Sequence, residues 1–109
     1  MSIDYYLRLM VQGDKEGKIT TVPLSGITPT LFSSQLANGQ TRKRLSVYNN
    51  SNTASGESYY SYSAAATVSA SSMAIPVGSM LQIPVSSDIP VYFFCKSGEK
   101  ADLRVEEIA

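Results

Sequence analysis

The 109 residues include nine basic side chains, nine acidic side chains and no histidine, so the formal net charge is zero. A chain of this length has room for one domain, and a neutral balance gives no general attraction to nucleic acid or to anionic membranes. The lack of histidine excludes Ser-His-Asp and Cys-His catalysis and removes the commonest transition-metal ligand. We therefore expect no enzymatic activity, no catalytic residues, no metal and no cofactor.

The first predicted element is an N-terminal hairpin over residues 4–24. Apolar and polar residues alternate over residues 5–11, GDKEG supplies a turn at residues 13–17, and a second β-prone run covers residues 18–24. Alternation with period two is typical of strands that are buried on one face. Residues 30–37 (TLFSSQLA) fit either a short strand or a helical turn.

The second predicted unit is a sandwich core over residues 41–108. Leu45 and Val47 alternate with polar neighbours, and the run SYYSYS places Tyr60 and Tyr62 on one face with Tyr59 opposite. Turn formers at Asn50 to Gly56 separate these two runs.

Three more runs follow in the last third of the chain. Residues 80–85 alternate, residues 91–96 are apolar on both faces, and residues 103–105 alternate again. The doubly apolar run predicts a central strand. The polar SGEKAD segment predicts that the last two runs form a hairpin.

About seven strands and no major helix predict an all-β fold, a single antiparallel β-sandwich over residues 1–109. Both an Ig-like and a jelly-roll-like arrangement fit the pattern. The chain has one cysteine and no tryptophan, so the disulfide and core tryptophan of antibody domains are absent. Cys95 lies in the most apolar run, and we expect it to be a buried thiol.

One stretch lacks charge altogether. The thirty residues from Ser58 to Ser87 contain no Asp, Glu, Lys or Arg. A soluble monomer normally interrupts such a stretch with charge, so we expect a partner subunit to cover part of it.

The candidate interface residues are one basic cluster and a set of tyrosines. The cluster could contact phosphates, discourage edge pairing at a strand start, or meet an acidic neighbouring subunit. The tyrosines could stack on sugars, anchor a protein interface, or pack in the core. Two residues of the predicted first strand complete the set. The predicted interface is Tyr6, Arg8, Arg42, Lys43, Arg44, Tyr48, Tyr59, Tyr60 and Tyr62.

Two segments resemble small virion structural proteins of tailed bacteriophages. They are RLSVYNNSNTASGESYYSYS, at residues 44–63, and AIPVGSMLQIPVSSDIPVYFFCKSGEKADLRVEEIA, at residues 74–109. The second contains a phrase of the form I-P-x-G-x-x-L-x-I-P-V, followed by an aromatic strand and an L-R-V-x-E tail. The resemblance implies a part in building a particle, as a capsid decoration or cement protein or as a small neck or tail subunit.

The resemblance also implies partners and a location. The expected partners are the major capsid protein or other virion proteins, and further copies of the chain, with a trimer as one option. The expected location is the virion, assembled in the host cytoplasm, with no direct contact to nucleic acid. No run of about 18 apolar residues exists, so we expect no membrane helix. The alternative is a module that binds glycans or a host surface through its tyrosines.

Overall fold

The computed structural model describes residues 17–37, 41–52, 56–83, 85 and 88–109. These residues form eight strands and no helical element. The strands are β1 (Gly17–Ser25), β2 (Thr30–Leu31), β3 (Arg44–Asn49), β4 (Ser58–Ser61), β5 (Met73–Ile75), β6 (Met80–Ile83), β7 (Tyr92–Cys95) and β8 (Lys100–Ile108). Sequence alternation predicted most of them, and the ambiguous segment at 30–37 begins with the short strand β2.

The strands form two four-stranded sheets in which every pairing is antiparallel. Sheet A has the order β1-β8-β3-β6, and sheet B has the order β2-β7-β4-β5. Strand 1 thus pairs with 8, 2 with 7, 3 with 6 and 4 with 5, which is the wrapped double Greek key of a jelly roll. The predicted all-β sandwich is confirmed, and the strand order selects the jelly roll over the Ig-like arrangement.

The sandwich begins earlier in the chain than residue 41. β1 pairs along its whole length with β8, from Gly17 opposite Ile108 to Ser25 opposite Lys100, and β2 pairs with β7. Both strands are therefore part of the sandwich rather than an appendage to it. The first strand of the predicted hairpin over residues 4–24 lies outside the described residues.

The core lies between the two sheets and follows the predicted alternation. On β8, Leu103 and Val105 are fully buried, whereas Arg104 is half-buried and Glu106 is exposed. Burying such apolar side chains is the main stabilising contribution to folding. The buried cluster between the sheets comprises Leu24, Leu45, Val47, Ile75, Ile83, Val85, Val91, Phe93, Cys95, Ala101, Leu103 and Val105.

The predicted hairpin between the last two strands is wrong. β7 lies inside sheet B, between β2 and β4, whereas β8 lies inside sheet A. The turn at residues 96–99, with Gly98 at a φ of 76°, therefore crosses from one sheet to the other. Polar turn residues with a glycine suit either connection, so the local sequence could not distinguish them. The prediction that β7 is a central strand is confirmed.

The two ends of the sandwich differ in their connections. At one end, here called the turn end, lie residues 26–29, 50–52, 56–57, 76–79 and 96–99. At the opposite end, the connection end, lie residues 32–37, 41–43, 62–72, 85 and 88–91. Part of the connection over residues 62–72 covers the outer face of sheet B, where Ala66 packs with Tyr59 and Phe94.

Candidate functional site

The four described tyrosines of the predicted interface do not share one surface. Tyr48 is exposed on the outer face of sheet A, whereas Tyr59 is buried on the outer face of sheet B. Tyr60 packs partly against the core, and Tyr62 is exposed beyond the end of β4. The strand period places Tyr59 opposite Tyr60, as predicted, but the two sheets separate Tyr48 from the others.

The prediction that Tyr59 lies on the surface is wrong. Its ring stacks on Phe94 at a centroid distance of 5.5 Å, and its hydroxyl donates to Glu57 Oε1 at 2.6 Å. The hydrogen bond to Glu57, followed by burial, raises the pKa of Tyr59 to about 12. Ala66 packs against this pair because the connection over residues 62–72 folds back on the sheet. No local pattern in residues 62–72 predicts that this connection folds back on the sheet.

The basic cluster is also divided. Lys43 and Arg44 are exposed, but only 3% of Arg42 is exposed. Its guanidinium pairs with Glu107 and donates from Nε to the carbonyl of Val85 at 3.2 Å. The surface role predicted for Arg42 is therefore wrong, because a buried carboxylate and a backbone carbonyl already bind its guanidinium. Tyr6 and Arg8 lie outside the described residues.

A hollow beside the edge strand β5 contains the most exposed of these tyrosines. Its walls are Tyr60, Ser61, Tyr62, Ser71, Ser72 and Met73. The two tyrosine rings meet edge to face at a centroid distance of 6.1 Å, and burial raises the pKa of Tyr62. None of the described residues that line this hollow is charged, and 62% of Met73 is exposed. The hollow is thus an apolar surface bordered by hydroxyl groups.

A second candidate surface is the outer face of sheet A. A shallow groove there is lined by Ile19, Ser46, Tyr48, Met80, Arg104 and Glu106. Ile19 is 66% exposed and Met80 is 64% exposed, although both are large and apolar. Arg104 Nη1 donates to Asp102 Oδ1 at 2.5 Å, and this hydrogen bond lowers the pKa of Asp102.

The sequence-based prediction did not include Ile19, Met73 or Met80 in the interface. The signal for Met80 was available, since the alternation of residues 80–85 places it opposite the buried Ile83 face. Ile19 likewise alternates out of phase with the buried Leu24 of its own strand. The exposure of Met73 could not be predicted, because it depends on β5 being the last strand of its sheet.

In the described part of the chain, no three His, Cys, Asp or Glu side chains are grouped so that they could hold a metal ion. The thiol of Cys95 is buried, as predicted, and lies 3.2 Å from the carbonyl oxygen of Glu99. Burial raises its pKa. No helix among the described residues is long and apolar enough to cross a membrane.

Comparisons with known proteins gave no relative to guide the assignment. No protein-family model matches the chain, and neither the curated proteins nor the solved structures include a match. The assignment of the jelly roll therefore rests on the strand pairing itself.

Proposed function

We propose that this chain is a non-enzymatic structural protein of a bacteriophage particle, which binds the capsid lattice as a decoration or cement protein. The observation that carries the proposal is the uncharged edge of sheet B at β5. Met73 on this edge is largely exposed, and Tyr62 is exposed in the same hollow. The proposed partner is the major capsid protein or a neighbouring virion protein.

Edge strands in monomeric proteins are normally protected by charge or proline, because their unpaired backbone N–H and C=O groups can hydrogen-bond to a strand of another chain. The β1 edge follows this rule, since it carries Lys18 and Pro23. β5 has no such residue within its three positions and ends just before Pro76. A partner can therefore add a short strand there and cover Met73 with apolar side chains.

The fold supports the same class by analogy. Jelly rolls occur in viral capsid domains, and also in lectins and cupins. A shared fold does not establish a shared function, so the fold supports the proposal without carrying it. A symmetric shell repeats every contact many times, so a small edge contact can still give firm attachment.

The test is binding to particles of the parent phage that lack this protein. Wild-type protein should co-sediment with them, and Met73→Asp should reduce binding at least about tenfold by placing a charge in an apolar contact. Ile27→Asp is the matched control, because Ile27 is also a large exposed apolar residue but lies at the turn end. Equal binding by both variants, or no binding by the wild type, would contradict the proposal.

A second candidate function is glycan binding in the hollow at β5. The observation that favours it is the exposed ring of Tyr62 beside the hydroxyl groups of Ser61, Ser71 and Ser72. Aromatic rings and hydroxyl groups are suited to a sugar face and its edge. Loss of glycan-array binding in Tyr62→Ala, with particle binding unchanged, would favour this candidate.

The proposed position on the particle needs a separate measurement. A neck or tail subunit could use the same uncharged edge against a different virion protein. Gold-labelled antibody against this chain should decorate the capsid surface of purified virions. Label confined to the neck or tail would contradict the capsid position and would assign the protein to a structural role in the neck or tail.

A further inference from the structure

We propose that two copies of this chain pair face to face through the outer face of sheet A, about a two-fold axis that crosses β8 at Val105. The partner is a second copy, and the contact is distinct from the β5 edge. The inference deepens the proposed assembly role and rests on it for its biological meaning. Its geometry can be tested on the isolated protein.

The strand register defines two adjacent rows of side chains across this face. The first row is Thr21, Arg104, Tyr48 and Met80, and the second row is Ile19, Glu106, Ser46 and Gln82. Each row contains one residue from each of β1, β8, β3 and β6. None of the eight side chains is fully buried, as expected for residues that alternate with core positions.

A two-fold axis lying in the interface and perpendicular to the strands places the first row of one copy over the second row of the other. Arg104 then faces Glu106 of the second copy, and Tyr48 faces Ser46. Met80 faces Gln82 in the same way, and Ile19 faces Thr21. Both charged residues of these two rows meet their opposite, and Tyr48 and Ile19 each meet a smaller side chain. The two rows are therefore complementary to each other across the axis.

The charges also select this axis over the other in-plane choice. An axis running along β8 would place Arg104 against Arg104 and Glu106 against Glu106, which are repulsive contacts. Arg104 donates from Nη1 to Asp102, and a guanidinium has further N–H groups to offer a second carboxylate. Glu106 makes no hydrogen bond or ion pair with the described residues, so its carboxylate is open to a partner.

The size of the face sets the expected affinity. Four strands about 4.8 Å apart and about six residues long, at about 3.3 Å per residue, cover roughly 400 Å² in projection. Stable interfaces bury about 800 Å² on each partner, so we expect a weak dimer with a dissociation constant in the micromolar range or above. A particle lattice would favour such pairing by raising the local concentration.

The experiment is sedimentation equilibrium from micromolar to millimolar protein, with two charge-reversal variants. Arg104→Glu and Glu106→Arg should each weaken dimerisation at least about tenfold, because each places like charges in contact. An equimolar mixture of the two variants should recover dimers, since each acid then meets a base. Lys96→Glu, an exposed charge reversal at the turn end, should dimerise like the wild type.

Several outcomes would overturn the proposal. The wild-type protein could stay monomeric at all concentrations or form a trimer. The single variants could dimerise as strongly as the wild type. The mixture could fail to form dimers although both variants show native circular dichroism. The outcome is independent of the particle-binding test. If the protein is a monomer that still binds particles, only the proposed dimer is refuted. If it is a dimer that does not bind particles, only the proposed function is refuted.

Discussion

Arg42 and Glu107 form an ion pair inside the protein, with Nη1 and Oε2 separated by 3.3 Å and side-chain exposures of 3% and 0%. The second carboxylate oxygen of Glu107 accepts the backbone N–H of Gln35 at 2.8 Å. The pair therefore joins β8 to Gln35 and Arg42, which lie between β2 and β3 in the chain. Its contacts at the connection end of the sandwich are an ion pair and hydrogen bonds.

Removing one partner of this pair should be costly. Glu107→Gln should lower the free energy of unfolding by about 3–5 kcal/mol, because it removes the fully buried carboxylate with which the Arg42 guanidinium pairs. Urea denaturation of dilute protein measures the change. The neighbouring Glu106→Gln is the control and should change it by less than about 0.5 kcal/mol, since Glu106 is exposed. The double variant Arg42→Met with Glu107→Leu should be more stable than Glu107→Gln. Equal stability of Glu107→Gln and wild type would contradict this account of the pair.

The side chain of Asn49 should be needed at the turn end. Its Nδ2 donates to the carbonyls of Gly56 and Ile75, both at 2.8 Å, and its Oδ1 accepts the N–H of Ser51 at 3.1 Å. Asn49→Ala should cost about 1–3 kcal/mol, because it removes three hydrogen bonds of a fully buried side chain. The control is Asn50→Ala, which loses one exposed hydrogen bond to Asp102. Thermal unfolding that shifts equally in both variants would argue against the role of Asn49.

The raised pKa of Tyr59 should make the stability of the protein fall at alkaline pH. Its pKa is raised to about 12 in the folded protein, chiefly by the hydrogen bond to Glu57. The unfolded chain therefore loses this proton first, near pH 10, and stability falls as the pH rises from about 10 towards 12. Denaturation midpoints at a series of pH values measure this. Tyr59→Phe should make that decline shallower, and an unchanged slope in this variant would assign the effect to other groups.

Cys95 should resist alkylation in the native protein. Burial raises the pKa of its thiol, so less of the reactive thiolate is present, and the side chain is closed off from solvent. Iodoacetamide should label it slowly in buffer and rapidly in denaturant, as followed by mass spectrometry. Equal rates in the two conditions would show that β7 opens readily to solvent.

Local alternation was informative about which side chains point inward. The buried positions Leu45, Val47, Leu103 and Val105 follow from period two alone, and the doubly apolar β7 is an internal strand as predicted. These features depend on neighbours in the chain, and a strand places successive side chains on opposite faces whatever its partners are. The all-β sandwich and the buried thiol could therefore be predicted from the sequence.

Long-range pairing decided the rest. The sequence predicts Arg42 as a surface cation, because its partner Glu107 lies 65 residues away and neither local pattern connects the two residues. Long-range pairing also decides three other features. It places β7 and β8 in different sheets, it covers Tyr59 with Ala66, and it puts Arg104 beside Tyr48 in one row. Alternation determines the face on which a residue lies, whereas its neighbours on that face are set by strand order and register, which only the tertiary structure provides.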